Sequence, residues 1–290
     1  MKYLGVIGHP LKQSLSPVIQ QAALDHLRLD ILYEAWATPG DGLATRFTGL
    51  RSPSVLGANV TIPHKEAALL AMDELDDVAQ KVGAVNTIVN CDGRLRGHNT
   101  DPAGFLRALR EAAGFDPSGR RVLVAGAGGA ARATVVALTE ANAASVTVIN
   151  RTLPRATKLI DVLRPISTGT VLTPLPDEPS SWADALDGCD LLVNCTSVGS
   201  AGSPEEKDSP VPVELLRPDI LVYDLIYRPA ETPLMKAALH ADARVLGGLP
   251  MLIYQGAASF KLWTGREAPL DIMFDAARQA LGLTPVSGEP

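Results

Sequence analysis

The sequence predicts an α/β protein built in two parts, with parallel sheets flanked by helices. Short runs rich in Val, Ile and Leu alternate with stretches whose apolar residues fall at helical spacing, the pattern of strand–helix–strand units. One such strand, at 121–125, runs straight into a glycine-rich turn and an alanine-rich helix. The loops also change character near residue 101, polar and motif-like before it, with a phosphate-loop pattern after it. With 290 residues, 46% of them hydrophobic and 20% charged, the chain is long and apolar enough for a sizeable core and lacks the composition of a disordered protein.

Strands are expected at 3–8, 31–36, 55–60, 121–125, 145–150, 190–195, 220–224 and 243–246. Most are separated by helical patterns such as Phe105, Leu106, Leu109 and Ala113. The exception is the pair 87–90 and 95–98, which flanks Asp92-Gly93 and reads as a tight hairpin. Gly-Leu-Pro-Met at 248–251 opens a last helix running to Thr264, and its Gln255 is expected to rejoin the first hundred residues in space. No internal repeat is evident.

The formal net charge is −6, from 26 basic and 32 acidic side chains with no Lys/Arg block, so a nucleic-acid backbone is not an expected partner. No apolar run approaches the roughly 20 residues that a membrane helix needs. The start, Met-Lys-Tyr-Leu-Gly-Val-Ile-Gly-His-Pro, lacks the apolar stretch of a signal peptide. Cys91, Cys189 and Cys195 are odd in number and without CxxC spacing, which argues against a disulfide framework or zinc site and for a reducing cytoplasm. An enzyme or small-molecule binder is the class that remains.

Arg121-Val-Leu-Val-Ala reads as a buried strand, and Gly126-Ala127-Gly128-Gly129-Ala130-Ala131-Arg132 follows at once. This is the G-x-G-x-x-G/A pattern in its required setting of strand, tight turn and helix, so the second part is expected to be a Rossmann-type, doubly wound domain. Gly126 permits the turn, Gly128 lets a pyrophosphate approach the backbone, and Ala131 lets helix and strand pack closely. The helix N-terminus then offers its unpaired amides to the phosphate. The next strand ends at Asn150-Arg151-Thr152, with Arg155 close behind. An acid about 20 residues past the loop would bond the ribose of NAD. Arg151 and Arg155 stand there instead, with Asn150 and Thr152, and this cationic, polar set suits the 2′-phosphate of NADP.

Four segments within residues 1–102 carry polar groups beyond what folding requires. In Gly8-His9-Pro10-Leu11-Lys12-Gln13-Ser14-Leu15-Ser16-Pro17 the Ser16-Pro17 pair reads as a helix N-cap followed by Pro, while Ser14 has no such role. Asn59-Val-Thr61-Ile-Pro63-His64-Lys65 places polar groups and a lysine past a strand end, where open α/β sheets bind ligands. Lys65 is a solvated charge unless a carboxylate faces it. Asp101, in Gly97-His98-Asn99-Thr100-Asp101-Pro102, reads equally as that partner or as an N-cap. Asn86, in Gly83-Ala84-Val85-Asn86-Thr87, reads as a cap, a turn residue or a hydroxyl binder, and His64 and His98 as local hydrogen-bonders.

Taken together these segments resemble the shikimate dehydrogenase family. The SLSP box at 14–17, NVTIPHK at 59–65, GAVNT at 83–87, GHNTD at 97–101, GAGGAAR at 126–132, NRT at 150–152, Asp224-Leu-Ile-Tyr-Arg-Pro229 and GLPMLIYQGA at 248–257 match that family's pattern in order over nearly the whole chain. The resemblance implies a substrate-binding catalytic domain at 1–103, rejoined by 252–290, an NADP-binding Rossmann domain at 104–251, and a cleft between them. It implies Lys65 as acid/base with Asp101 as its partner. Ser14, Ser16, Asn86 and Gln255 match positions that hold the substrate's carboxylate and hydroxyls, and Thr61 and Tyr227 match further substrate contacts. Residues 126–130 and 150–155 match cofactor contacts, with Thr196 in the family loop at 194–200, Leu225 and Gly248 on the nicotinamide side and Asp77 as a weaker contact. The chain departs from the family at Ser200, where Met is usual, and at Gln13, where His or Asn is frequent.

The implied function is reversible NADPH-dependent reduction of 3-dehydroshikimate to shikimate, in aromatic amino-acid and chorismate biosynthesis. A quinate or aminoshikimate dehydrogenase is the nearest alternative, and a non-catalytic NADP sensor on the same fold is a more distant one. The implied partners are small molecules only, with the chain as a monomer or homodimer.

Overall fold

Residues 4–7, Leu-Gly-Val-Ile, offer no polar side chain to solvent, and they form the centre of a strand buried on both faces, β1 (Lys2–Gly8). This is seen in the computed structural model, which describes residues 1–283. The chain continues through α1 (Ser16–His26), β2 (Ile31–Ala37), α2 (Leu43–Gly49), β3 (Gly57–Val60), α3 (Lys65–Leu69), β4 (Glu74–Leu75), α4 (Asp77–Val82), β5 (Thr87–Cys91), β6 (Arg94–His98) and α5 (Asp101–Glu111). The six strands form one sheet in the order β2-β1-β3-β5-β6-β4. β1 pairs in parallel with β2 and β3, whereas β5 runs antiparallel to β3 and β6. Asp92 (φ 52°) and Gly93 (φ 88°) turn the β5–β6 hairpin, both in the left-handed region that a two-residue turn demands. Ile7, Leu50, Ala58, Ile88 and Leu95 fill the core on one side of this sheet.

That topology gathers chain ends at one edge. β1, β3 and β6 finish there and β5 starts there, so Thr61 N donates to Ile7 O (2.8 Å), Val60 N to Asn86 O (2.8 Å) and Asn86 N to His98 O (3.0 Å).

The chain passes within α5 into a second unit, Phe105–Leu252. It comprises β7 (Arg121–Ala125), α6 (Gly129–Glu140), β8 (Ser145–Asn150), α7 (Leu153–Leu163), β9 (Val171–Pro176), α8 (Pro179–Leu186), β10 (Leu191–Asn194), β11 (Leu221–Asp224), α9 (Pro233–His240) and β12 (Arg244–Leu246). All six strands are parallel, in the order β12-β11-β10-β7-β8-β9. This is the doubly wound arrangement, with its switch point between β7 and β10. The central strands β10 and β11 are buried at every residue, as a sheet covered by helices on both faces requires.

β9 and β4 lie outside the strands that periodicity predicts. β9 reads Val-Leu-Thr-Pro-Leu-Pro, and two prolines argue against a strand; it forms because it lies at the sheet edge, where a missing N–H does no harm. The strand expected from residue 55 begins at Gly57, and Val55 makes only an isolated bridge to Tyr3.

From Ile253 the chain belongs to the first unit again, through α10 (Leu249–Thr264) and α11 (Leu270–Ala280). α10 is anchored there at its middle, by Gln20 Nε2 donating to Gly256 O (2.9 Å), and at its C-terminal end, by Trp263 Nε1 donating to Ile88 O (2.9 Å). It crosses α5 so closely that a Cβ on Gly104 would stand 2.8 Å from Gln255 N and 3.0 Å from Gln255 Cα. Gly104→Ala is therefore expected to lower stability to urea by about 1–3 kcal/mol, the usual cost of overpacking a close contact. An unchanged unfolding midpoint would contradict this crossing.

Candidate active site

Lys65 opens α3 just past the end of β3, and Asp101 opens α5 just past the end of β6, so the shared sheet edge brings them together. Lys65 Nζ donates to Asp101 Oδ2 at 2.6 Å. The side chains are 22% and 7% exposed, which leaves the amine reachable and the carboxylate nearly enclosed. Asn86 Nδ2 donates to the other carboxylate oxygen, Oδ1, at 2.8 Å. Both oxygens thus serve a side-chain site, and of the two roles open to Asp101 the structure selects partner to Lys65 over helix cap. Val85 N donates to Lys65 O at 2.8 Å and ties the start of α3 to the segment that carries Asn86.

Gln255 reaches this constellation from α10, its Oε1 accepting from Asn86 Nδ2 at 3.3 Å. Thr61 lies at the same edge, half-buried, between β3 and Lys65. Ser14 and Ser16, also half-buried, lie on the segment that follows β1. Ser16 does not cap α1: the N-cap is Leu15, without a side-chain bond, and Ser16 is the first helical residue. Its N–H donates instead to Ser14 Oγ (3.3 Å). Asp77 is exposed in the first turn of α4, where an acid suits the helix dipole, and Asp76 is the cap of that helix.

The two histidines serve local structure. His64 is buried with Nε2 at 2.7 Å from Thr38 O, and His98 Nδ1 lies 2.8 Å from Asp76 Oδ2. Burial pushes the Asp76 carboxyl up, but the bonds from His98 and the Ala79 amide, with the charges of His98 and Arg96, hold it below its usual range.

Thr100, Thr87, Asn59 and Ser259 also belong to this site. Thr100 N donates to Asn86 Oδ1 and Thr100 Oγ1 accepts from Asn86 Nδ2, both at 2.8 Å. Ser259 stands four residues after Gln255 on the same helical face, and that spacing is the one mark by which sequence alone could have associated them.

In the second unit the C-terminal edge of the sheet carries the phosphate-loop pattern. Gly126 has φ +104°, and a Cβ there would meet Thr196 Cγ2 at 3.1 Å, so the turn needs glycine. Nothing lies within 4 Å of a Cβ placed on Gly128 or Gly129, and the N-cap of α6, Gly128, gives its helix no side-chain bond. Ala127 and Ala130 flank these glycines. The open backbone and uncapped amides fit a pyrophosphate. Asn150 Nδ2 donates to Thr152 O (2.9 Å), and Arg151, Thr152 and Arg155 are exposed around the N-terminus of α7. Arg151 Nη1 lies 3.3 Å from Glu205 Oε1, an exposed pair that a phosphate can displace. No acid occupies the positions beside these arginines at the end of β8.

Thr196, Leu225, Tyr227 and Gly248 follow strands of the same sheet, and the fully buried Asp224 ties together the segments after β10 and β11. Asp224 Oδ1 accepts from Asn194 Nδ2 (2.9 Å) and Ile226 N (3.1 Å), and Oδ2 from Thr232 Oγ1 (2.7 Å). Asn194 Oδ1 in turn accepts from Thr196 N and Oγ1 (2.9 and 2.7 Å), and Gly248 N donates to Ile226 O (3.0 Å). Burial pushes the thiols of Cys195 and Cys189 up to about 12 and about 11, so neither is a thiolate nucleophile near neutrality. Among the described residues no cluster of His, Cys, Asp and Glu could hold a metal ion, and no helix is long and apolar enough to cross a membrane.

Comparison with known proteins covers the same ground. Residues 6–88 match the family model of the shikimate dehydrogenase substrate binding domain, 108–199 that of shikimate / quinate 5-dehydrogenase, and 248–278 that of the shikimate 5′-dehydrogenase C-terminal domain. The chain is 45% identical over 289 residues to a shikimate dehydrogenase (NADP+) of Moorella thermoacetica, covering 99% of this chain and 95% of that one. The shikimate 5-dehydrogenase of Thermus thermophilus, solved with NADP(H) and shikimate, superimposes with a TM-score of 0.85 at 41% identity, over 97% of this chain and all (100%) of that one. A further shikimate dehydrogenase, in complex with NADP+, gives a TM-score of 0.89 at 36% identity over 97% and 96% of the two chains.

Asp224 also has a consequence for stability. Burial raises its carboxyl above the usual range, against the pull of bonds from Thr232, the Ile226 amide and Asn194. The unfolded chain therefore releases this proton first, so the contribution of Asp224 to stability is complete below about pH 4 and is lost as pH climbs through the raised value. Asn at 224 cannot titrate. The urea stability of the unaltered protein relative to Asp224→Asn is thus expected to fall as pH rises from about 4 to about 8. A difference independent of pH would overturn the assignment.

Proposed function

Because the chain belongs to the shikimate dehydrogenase family, we propose that it catalyses the reversible, NADP-dependent reduction of 3-dehydroshikimate to shikimate. The observation that carries the reading is the 2.6 Å pair of Lys65 and Asp101 at the strand ends of the first unit. We assign residues 1–103, with 252–290, to the substrate and 104–251 to the cofactor, as an enzyme of chorismate and aromatic amino-acid biosynthesis in the cytoplasm.

NADP, when bound, supplies or accepts the hydride. In reduction, the C3 oxygen of the substrate gains negative charge, and Lys65 as an ammonium stabilises and protonates it. In oxidation the amine takes that proton back. Asp101 aims the amine through a charge-assisted hydrogen bond, and Asn86 and Gln255 bond substrate hydroxyls. Ser14 and Ser16 hold the carboxylate, and Thr61 and Tyr227 add further contacts. The backbone at 126–130 cradles the pyrophosphate, and Arg151 and Arg155, with Asn150 and Thr152, grip the 2′-phosphate. Thr196, Leu225 and Gly248 line the nicotinamide side, and Asp77 is the weakest of the assigned contacts.

The test follows reduced-nicotinamide absorbance with shikimate or quinate and with NADP or NAD. Turnover with shikimate and NADP supports the proposal, and a preference for quinate or NAD would overturn the specificity while keeping the chemistry. No turnover together with tight NADP binding would point to a sensor. Lys65→Ala is expected to reduce kcat by about 10²–10⁴-fold and to leave the Kd for NADP unchanged. The double variant Arg151→Ala, Arg155→Ala is expected to weaken NADP binding by about 10-fold or more, on the order of 1.5–3 kcal/mol for charged hydrogen bonds, and to leave NAD binding nearly unaltered. Equal losses for the two nucleotides would contradict the phosphate role.

A further inference from the structure

Behind Asn86 lies a tier of polar side chains buried in an otherwise apolar core: Tyr33 on β2, Asn59 on β3, Thr87 on β5 and Ser259 on α10, each at most 6% exposed. None of the four has a place in the roles assigned above. Tyr33 Oη is 2.7 Å from Asn59 Oδ1. Asn59 Nδ2 is 3.2 Å from Asn86 O, 3.2 Å from Thr87 Oγ1 and 3.1 Å from Ser259 Oγ. Thr87 Oγ1 is 2.7 Å from Ser259 Oγ and 2.9 Å from Asn86 Oδ1.

Two backbone groups give these bonds a direction. The carbonyl of Asn86 can only accept, so Asn59 must turn its NH₂ toward it and its Oδ1 toward Tyr33, whose hydroxyl must then donate. The amide of Thr100 can only donate, so Asn86 must turn Oδ1 toward it and its NH₂ toward Asp101. The Thr87 hydroxyl faces that Oδ1 and has to donate to it, while taking a hydrogen from Asn59 or Ser259. A single donor sense thus runs from Tyr33 through Asn59, Thr87 and Asn86 to Asp101 Oδ1, while Lys65 donates to Oδ2 from the other side. Ser259 Oγ also lies 3.0 Å from Gln255 O, which ties α10 into the same tier.

We propose that Thr87, backed by Asn59, Tyr33 and Ser259, is a positioning residue for the reaction: its hydroxyl locks the Asn86 amide so that Asn86 donates to Asp101, and Asp101 thereby holds Lys65 at the reacting atoms. This rests on the dehydrogenase reading for its catalytic consequence but not for its geometry. Without the Thr87 hydroxyl, Asn86 Oδ1 keeps one donor of two, and the carboxylate that orients Lys65 loses a fixed support. Misplacement of catalytic groups by fractions of an ångström lowers the rate of the chemical step more than it lowers binding.

Thr87→Val removes the hydroxyl at nearly constant shape, and Thr87→Ser restores it. The Val variant is expected to lose kcat for shikimate oxidation on the order of 10–100-fold, with KM for NADP within about twofold of the unaltered protein, and the Ser variant to recover most of that loss. A second readout is independent of turnover. The side-chain NH₂ signals of Asn86, identified in a ¹H–¹⁵N spectrum by their absence from Asn86→Asp, are expected to move in the Val variant and to return in the Ser variant. A Val variant with normal kcat and unmoved Asn86 signals would refute the proposal. So would equal losses of kcat and melting temperature in the Val and Ser variants, because Thr87 would then serve only the core. Should the unaltered protein turn over no shikimate while the Asn86 signals respond as expected, the assigned reaction falls and the positioning network stands.

Discussion

A carboxylate enclosed as deeply as Asp101 is stable only if each oxygen is met by a donor, and that requirement shapes the first unit. Lys65 and Asn86 supply the donors, and neither is near Asp101 in the chain: they stand 36 and 15 residues away. They meet because β3 and β6 end at the sheet edge where β5 begins, a consequence of placing an antiparallel hairpin beside parallel strands. The pair is only partly withdrawn from water on the lysine side, whereas the carboxylate is nearly enclosed. A buried charge of this kind tolerates loss of its partner poorly, which makes Lys65 a structural requirement of the edge.

The second unit solves a similar problem with different groups. Asp224 is buried and is met by an amide, a backbone N–H and a hydroxyl. Through Asn194 and Thr232 it connects the loop after β10 to the loop after β11 and to the cap of α9, which accepts from Met235 N at 3.1 Å. One carboxylate thereby organises the loops that close the C-terminal edge of the sheet. In each unit a buried acid sits where strand ends are gathered, and in each it is the loops, not the strands, that it holds.

Much of this is legible from short windows. The phosphate loop is readable because strand, turn and helix are contiguous, and the Asp92-Gly93 hairpin because two left-handed residues in sequence leave few other turns. β9 is not readable, because its prolines are compatible with a strand only at an edge, and edge position is a property of the whole sheet. Ser16 reads as a cap because Ser before Pro is a good local cap, whereas the helix starts one residue earlier and Ser14 takes the bond. Tyr33 and Ser259 carry no mark of their site, since a tyrosine in a strand and a serine in a helix are ordinary residues until their hydroxyls are seen to share neighbours.

By itself, therefore, the amino-acid sequence determined the α/β class, the glycine-rich turn between strand and helix, the cationic stretch at 150–155 and the candidate Lys65 and Asp101, because periodicity, turn chemistry and motif spacing act over a few residues. Only the tertiary structure decided that Asp101 faces Lys65 instead of capping its helix. It also decided that Gln255, expected from sequence to rejoin the first hundred residues, meets Asn86, and that a chain of donors from Tyr33 ends at the carboxylate. Hydrogen-bond direction depends on which fixed donor or acceptor each group meets, and those meetings are made by sheet order and helix crossing between residues as many as 200 apart.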